Sequence, residues 1–248
     1  MYKNDIYTIK SNIKLTNDIY KMVLEGDTSF ITAPGQFVNI QLDGFYLRRP
    51  ISISSWNDKD FTIIYKVVGS GTKAMATYEA GKKLDILTGL GNGFDVSDMA
   101  GRKPVLIGGG VGVPPMYGVA ETMVKNGVKP LIVLGFNDEA GAFYQDEFKA
   151  LGLDVYVTTV DGSLGIKGFV TDALKDMDYD TYLCCGPKPM LKAVYDMGKI
   201  KGAEGQLSFE EHMGCGFGAC MGCSCKTITG NKRICTDGPV FKSSEVIL

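Results

Sequence analysis

The chain has 248 residues, 45% of them hydrophobic and 22% charged, with a formal net charge of −2. That length supports one large core or two ordinary ones and excludes a small disulfide-stapled scaffold. The slightly acidic balance excludes a nucleic-acid binder, which needs a basic face, and no apolar run approaches the ~20 residues of a membrane helix.

The first ten residues mix Lys3, Asp5 and Lys10 with apolar side chains, unlike a signal peptide, so a cytoplasmic protein is expected. Short strands follow at residues 18–24, 36–42, 49–55 and 61–68, punctuated by Gly, Pro, Asn and Asp. This spacing predicts an antiparallel β-barrel over residues 1–99. Within it, Arg48 and Arg49 stand directly before the strand-like Pro50, Ile51, Ser52 and Ile53. Taken alone, the pair also fits an edge strand with a solvated basic end. Further on, Gly69, Ser70, Gly71 and Thr72 open a helical stretch whose first N–H groups suit an anion. Arginine beside a glycine-opened helix predicts a pyrophosphate cradle.

From residue 100 the pattern changes to apolar runs at 104–107, 130–134, 153–160 and 181–185. Helical stretches at 114–126, 143–150, 169–177 and 188–197 alternate with them, which predicts an α/β domain with a parallel sheet over residues 100–204. The first strand-to-helix turn carries Gly108, Gly109, Gly110, Gly112 and Pro114. Its small residues let a diphosphate approach the backbone, although Pro115 at the third position departs from a strict G-x-G-x-x-G. A tight structural turn fits it equally well. Cys185, Gly186 and Pro187 close a later strand and start the next helix, with Pro187 near its first turn. The loop at 135–139 carries Asp138 and Glu139 and no cation, which favours NAD over NADP.

The third region, residues 205–248, is rich in Gly and Cys and predicts a small metal-ordered module. Five of the seven cysteines lie between residues 215 and 235. Cys215, Cys220, Cys223 and Cys235 have the spacing C-x4-C-x2-C-x11-C, whose first three members match a plant-type 2Fe-2S loop. Structural zinc also takes four thiolates but favours two short Cys pairs separated by a spacer. Cys225 reads as an ordinary small side chain, because ligands one residue apart on a strand face opposite ways. His212 is the only histidine, which excludes a Rieske centre and fits a packing or surface role.

Arg49-Pro50-Ile51-Ser52, Gly71-Thr72, the glycine turn and Cys185-Gly186-Pro187-x-x-Met190 together resemble the ferredoxin-NADP reductase superfamily. The tail from Ser208 to Phe241 resembles one branch of it, the electron transfer subunits of dihydroorotate dehydrogenase B. The resemblance implies FAD held by Arg49, Pro50, Ile51, Ser52, Ile64, Tyr65, Lys66, Gly71 and Thr72, with Ser52 near the flavin N5. It implies NAD at Gly109, Gly110, Gly112, Pro114, Gly186, Pro187 and Met190, with Cys185 near the nicotinamide. A separate FMN-containing catalytic subunit is the implied partner, in a heterotetramer of two of each chain. The superfamily carries an aromatic residue where Ile51 stands. Two other readings remain: a reductase subunit of a sulfide or ferredoxin-dependent NAD(P)H oxidoreductase, and a nucleotide-sensing protein with structural zinc.

Overall fold

The computed structural model describes residues 2–248. Its first six strands are β1 (Lys3–Lys14), β2 (Ile19–Glu25), β3 (Phe37–Ile40), β4 (Arg49–Trp56), β5 (Asp60–Lys66) and β6 (Lys83–Leu90). They close an antiparallel barrel in the order β1-β2-β5-β4-β3-β6. Alternation along each strand sends Tyr7, Ile9, Met22, Leu24, Val38, Ile40, Ile53 and Ile63 into the barrel core. A short helix, α1 (Ser70–Met75), roots in that core through Met75. The Asn12 amide of β1 donates to the Met75 and Tyr78 carbonyls at 2.9 and 3.0 Å, which satisfies acceptors at the helix end.

The second unit runs β7 (Pro104–Gly109), α2 (Val113–Lys125), β8 (Leu131–Phe136), α3 (Gln145–Ala150), β9 (Val155–Thr159), β10 (Ile166–Lys167), α4 (Val170–Leu174), β11 (Thr181–Cys185), α5 (Lys188–Lys201) and β12 (Glu204–Ser208). The C-terminal region adds a hairpin, β13 (Ser224–Thr227) with β14 (Gly230–Arg233), and then β15 (Val240–Lys242). One sheet has the order β10-β9-β8-β7-β11-β12-β15, parallel except for the antiparallel β15 at its edge. The sheet therefore continues past residue 204 and reclaims the chain at residue 240, so the cysteine-rich segment is tied to it at both ends.

Two of the three hydrophobic cores span more than one unit. Ile19 and Ile64 of the barrel pack with Leu106, Val113 and Met116 of the nucleotide unit. Phe37, Leu87 and Leu90 pack in the same core as Leu207, Cys223, Ile234 and Cys235. Helix α2 also lies close against β4: a Cβ at Gly118 would stand 2.6 Å from the Ser54 carbonyl oxygen. Such continuous apolar contact holds the three units in a fixed arrangement.

Candidate functional site

Along β4 the run from Arg49 to Ile51, with Ser52, is half-buried, whereas the paired β3 is buried throughout. One end of β4 therefore keeps an uncovered face. The two arginines differ in what they touch. Arg48 forms an ion pair with Asp85 at 2.8 Å and donates to the Asn39 and Asp85 carbonyls at 3.3 and 3.1 Å, so it is spent on the barrel. Arg49 lies over the Phe45 ring, 5.0 Å from its centroid, and its guanidinium rests against Gly71 so closely that any Cβ there would collide. Glycine at 71 is what lets the cation reach the first turn of α1. In that turn Lys73 is the first residue to donate back, to the Gly69 carbonyl at 2.9 Å, and the Ser70, Gly71 and Thr72 amides have no acceptor within the helix.

Thr72 is close by, but its hydroxyl is engaged: it accepts from the Val68 and Gly69 amides at 3.0 and 3.3 Å. On β5 the three expected residues point different ways. Ile64 faces the nucleotide unit, Tyr65 fills the barrel interior with its hydroxyl donating to Asn12 at 3.0 Å, and Lys66 pairs with Asp18 at 3.2 Å. At Tyr65 only the backbone is left for a ligand.

The glycine turn and the loop after β11 meet. A Cβ at Gly109 would collide with Met190, and one at Gly112 would collide with the Cys185 carbonyl and stand 2.7 Å from the Gly186 nitrogen. These two glycines are thus required by the chain's own packing. Gly110 differs, because it has a φ of +52° and open space where a Cβ would stand. Pro114 is buried in the first turn of α2. Cys184 is fully buried in the core, while the adjacent Cys185 is half-buried on the other face of the strand. Burial pushes the Cys185 thiol up to about 12, partly offset by a hydrogen bond from Ser208 and reinforced by Glu210, so it stays neutral at pH 7.

The four cysteines of the motif come together as two pairs. Cys223 and Cys235 are buried with their sulfurs 3.3 Å apart. Cys215 and Cys220 lie nearer the surface and exchange backbone contacts, the Cys215 amide donating to the Cys220 sulfur and the Cys220 amide to the Cys215 sulfur, both at 3.4 Å. The Ala219 amide also donates to the Cys215 sulfur, at 3.2 Å. Partial burial opposes ionisation of Cys215, but donation from Cys220, Phe217 and Ala219 outweighs it and brings the thiol down to about 7. Burial and the neighbouring Cys223 push Cys235 up. Amides aimed at sulfur and thiols in two pairs fit a two-iron cluster, each iron taking two thiolates. Among the described residues no three His, Cys, Asp or Glu side chains converge on a single-ion position.

The oxidoreductase NAD-binding domain matches residues 106–196, and the iron-sulfur cluster binding domain of dihydroorotate dehydrogenase B matches residues 210–247. The dihydroorotate dehydrogenase B (NAD+) electron transfer subunit of Fusobacterium nucleatum is 44% identical, covering 96% of both chains. That of Bacillus pumilus is also 44% identical, covering 99% of both. The chain belongs to this electron transfer subunit family. Among solved structures, the NADH-dependent reduced ferredoxin-NADP oxidoreductase superposes with a TM-score of 0.88 at 28% identity, covering 98% of this chain and 90% of that one. Phthalate dioxygenase reductase, at 19% identity and a TM-score of 0.64, covers 79% of this chain and 64% of that one, and shares the fold.

In this family member, residues outside the motif set also organise the cysteine loop. The Arg233 guanidinium donates to the Gly218 carbonyl at 3.0 Å and pairs with Asp237 at 3.4 Å, and the Asp237 carboxylate accepts from the Arg233 amide at 2.7 Å. Their flanking positions, two residues either side of Cys235, are a signal the spacing alone does not carry. His212 is exposed, and Cys225 lies on β13 opposite Lys232. No helix among the described residues is long and apolar enough to cross a membrane.

Proposed function

We propose that the chain carries electrons between a partner's FMN and NAD+ through a 2Fe-2S cluster and an FAD, as the electron transfer subunit of dihydroorotate dehydrogenase B. The observation that carries this reading is the two-pair cysteine loop, held in one core with a flavin-type barrel in a chain 44% identical to such subunits over nearly its whole length. When bound, flavin exchanges a hydride with nicotinamide and single electrons with the cluster, which no other group here links. The units divide as an FAD barrel near 1–99, a nucleotide domain near 100–204 and a cluster module near 205–248, in a cytoplasm whose reducing poise keeps thiols free for metal. The visible spectrum of the purified chain tests it. Flavin bands with a cluster absorption that bleaches on reduction are expected; a colourless, zinc-loaded protein overturns the reading.

Arg49 and the first turn of α1 take the FAD pyrophosphate, Ser52 lies near the flavin N5, and Cys185 is a neutral neighbour of the nicotinamide. Arg49→Ala is expected to weaken FAD retention roughly ten- to a hundredfold, since a charge-assisted hydrogen bond contributes ~1.5 to 3 kcal/mol. Arg48→Ala is expected to spare flavin affinity more, because Arg48 is paired to Asp85. Equal flavin loss from both, measured by dialysis against free FAD, would show that the cradle is misassigned.

NADH is expected to reduce the flavin much faster than NADPH in stopped-flow mixing. The loop after β8 presents Asn137, Asp138 and Glu139, all exposed. The Asp138 carboxylate accepts from the Gly141 amide at 2.8 Å, and a carboxylate suits free ribose hydroxyls but repels a 2′-phosphate. The neighbouring strand β10 does bring a cation, Lys167, whose stem lies over Gly162. A preference for NADPH would therefore assign the phosphate to Lys167 and favour the rival oxidoreductase.

A further inference from the structure

Two asparagines of the barrel reach across to the cysteine loop, one to each thiol pair. The Asn39 amide, on β3, donates to the carbonyl of Cys215 at 3.0 Å. The Asn92 amide, two residues past β6, donates to the carbonyls of Thr236 and Asp237 at 3.2 and 3.3 Å, directly after Cys235. The Asn92 backbone amide adds a 2.6 Å bond to the Gly238 carbonyl.

The contact is built from both sides. Gly216 lies flat on the Asn39 carboxamide with a φ of +80°, and a Cβ there would collide with it. Gly91 has a φ of +73°, and a Cβ on it would stand 2.6 Å from Pro239 and 2.9 Å from Phe37. Asn39 is 1% exposed and its Oδ1 has no hydrogen-bond partner, so burying this carboxamide carries a desolvation penalty for which the barrel gains nothing. Its one bond goes to the cysteine loop. In register, Asn39 stands opposite Pro50 and Phe37 opposite Ser52. The Asn39 tether therefore starts one strand away from the segment assigned to the flavin, and the Asn92 tether, just past β6, starts two strands away.

We propose that Asn39 and Asn92 are positioning residues that clamp the two halves of the cluster at a fixed gap from the flavin, so that electrons cross without movement of the module. The inference rests on the proposed function, since it needs both groups to be present. Electron transfer weakens steeply with separation, and two bonds from one rigid barrel to opposite ends of the loop fix that separation as a single contact cannot.

The test uses the flavin- and cluster-loaded chain with Asn39→Leu, Asn92→Ala and both together. After rapid mixing with NADH, flavin reduction is expected to keep its wild-type rate in all three. The following transfer from flavin to cluster is expected to slow severalfold in the double variant, because the rate of electron transfer falls steeply with each ångström of added separation. The paramagnetic resonance of the reduced cluster is expected to broaden, and amide exchange over residues 214–223 to quicken. Should Asn39→Leu fail to hold iron, the exposed Asn92→Ala carries the same measurements alone. Wild-type transfer rate, line shape and exchange in the variants would overturn the clamp. A wild-type chain holding no cluster would overturn the proposed function instead.

Discussion

Replacing Cys215, Cys220, Cys223 or Cys235 with Ser is expected to abolish the cluster or reduce it to a small remnant, measured as iron and acid-labile sulfide per chain. A serine hydroxyl is a hard, weakly acidic ligand where soft thiolate is required. The loss also unfolds structure. Cys223 and Cys235 pack in one core with Phe37, Leu90, Leu207 and Ile234, and a site that folds around its metal loses that binding energy with the ligand. The outer pair has a different source of order, the amides of Ala219 and Cys220 aimed at the Cys215 sulfur. Cys225→Ser is expected to leave iron near normal, because Cys225 sits on β13 opposite Lys232 and outside both thiol pairs. Iron lost from Cys225→Ser but kept by one of the other four would mean that the ligand set is wrong.

The barrel, the parallel sheet and the cysteine loop were legible because each carries a short-range signal: turn punctuation, strand-to-helix alternation, and thiol spacing. What escaped lacked one. Strand β1 closes the barrel, yet Ile6 and Ile13 are about half exposed while Tyr7 and Ile9 point inward, which scrambles the two-residue alternation. Strand β6 buries Leu84 and Ile86 in the barrel and Leu87 and Leu90 against the cysteine module, so its polar face, carried by Lys83 and Asp85, is broken at Leu87 before a period is established. Strand β12 reads Glu-Gly-Gln-Leu-Ser, and its Gly205 is required because the Tyr182 ring lies over it. A boundary drawn on composition falls there although the sheet does not end there. The candidate sites divide in the same way. Motif positions are local and were named. The difference between Arg48 and Arg49 depends on Asp85, and the roles of Asn39 and Asn92 depend on residues far along the chain, which no window of sequence displays.

By itself the chain is expected to give no turnover with dihydroorotate and NAD+, and to gain it when the FMN-containing catalytic subunit is added. The reactive groups that its residues account for are a flavin cradle, a nucleotide turn and four thiols, and none of these supplies the second flavin on which dihydroorotate would be oxidised. Electrons must therefore enter through the cluster, and they cross only short gaps. The geometry offers one approach. Cys220 is exposed, and Phe217 and Met221 beside it, together with Tyr2 against Phe217 at 5.3 Å between ring centroids, leave apolar surface uncovered around the outer thiol pair. Exposed aromatic and methionine side chains clustered at one place fit the centre of a protein interface, where truncating an anchor costs about 2 kcal/mol or more. Phe217→Ala and Met221→Ala together are thus expected to weaken assembly by more than about thirtyfold while leaving the spectrum of the isolated chain unchanged. Size-exclusion elution of the mixed subunits reads the assembly, and orotate formation with NAD+ reads the function. Turnover by the chain alone would place a dihydroorotate site within it, and a full-strength complex in the double variant would move the docking surface away from the cysteine loop.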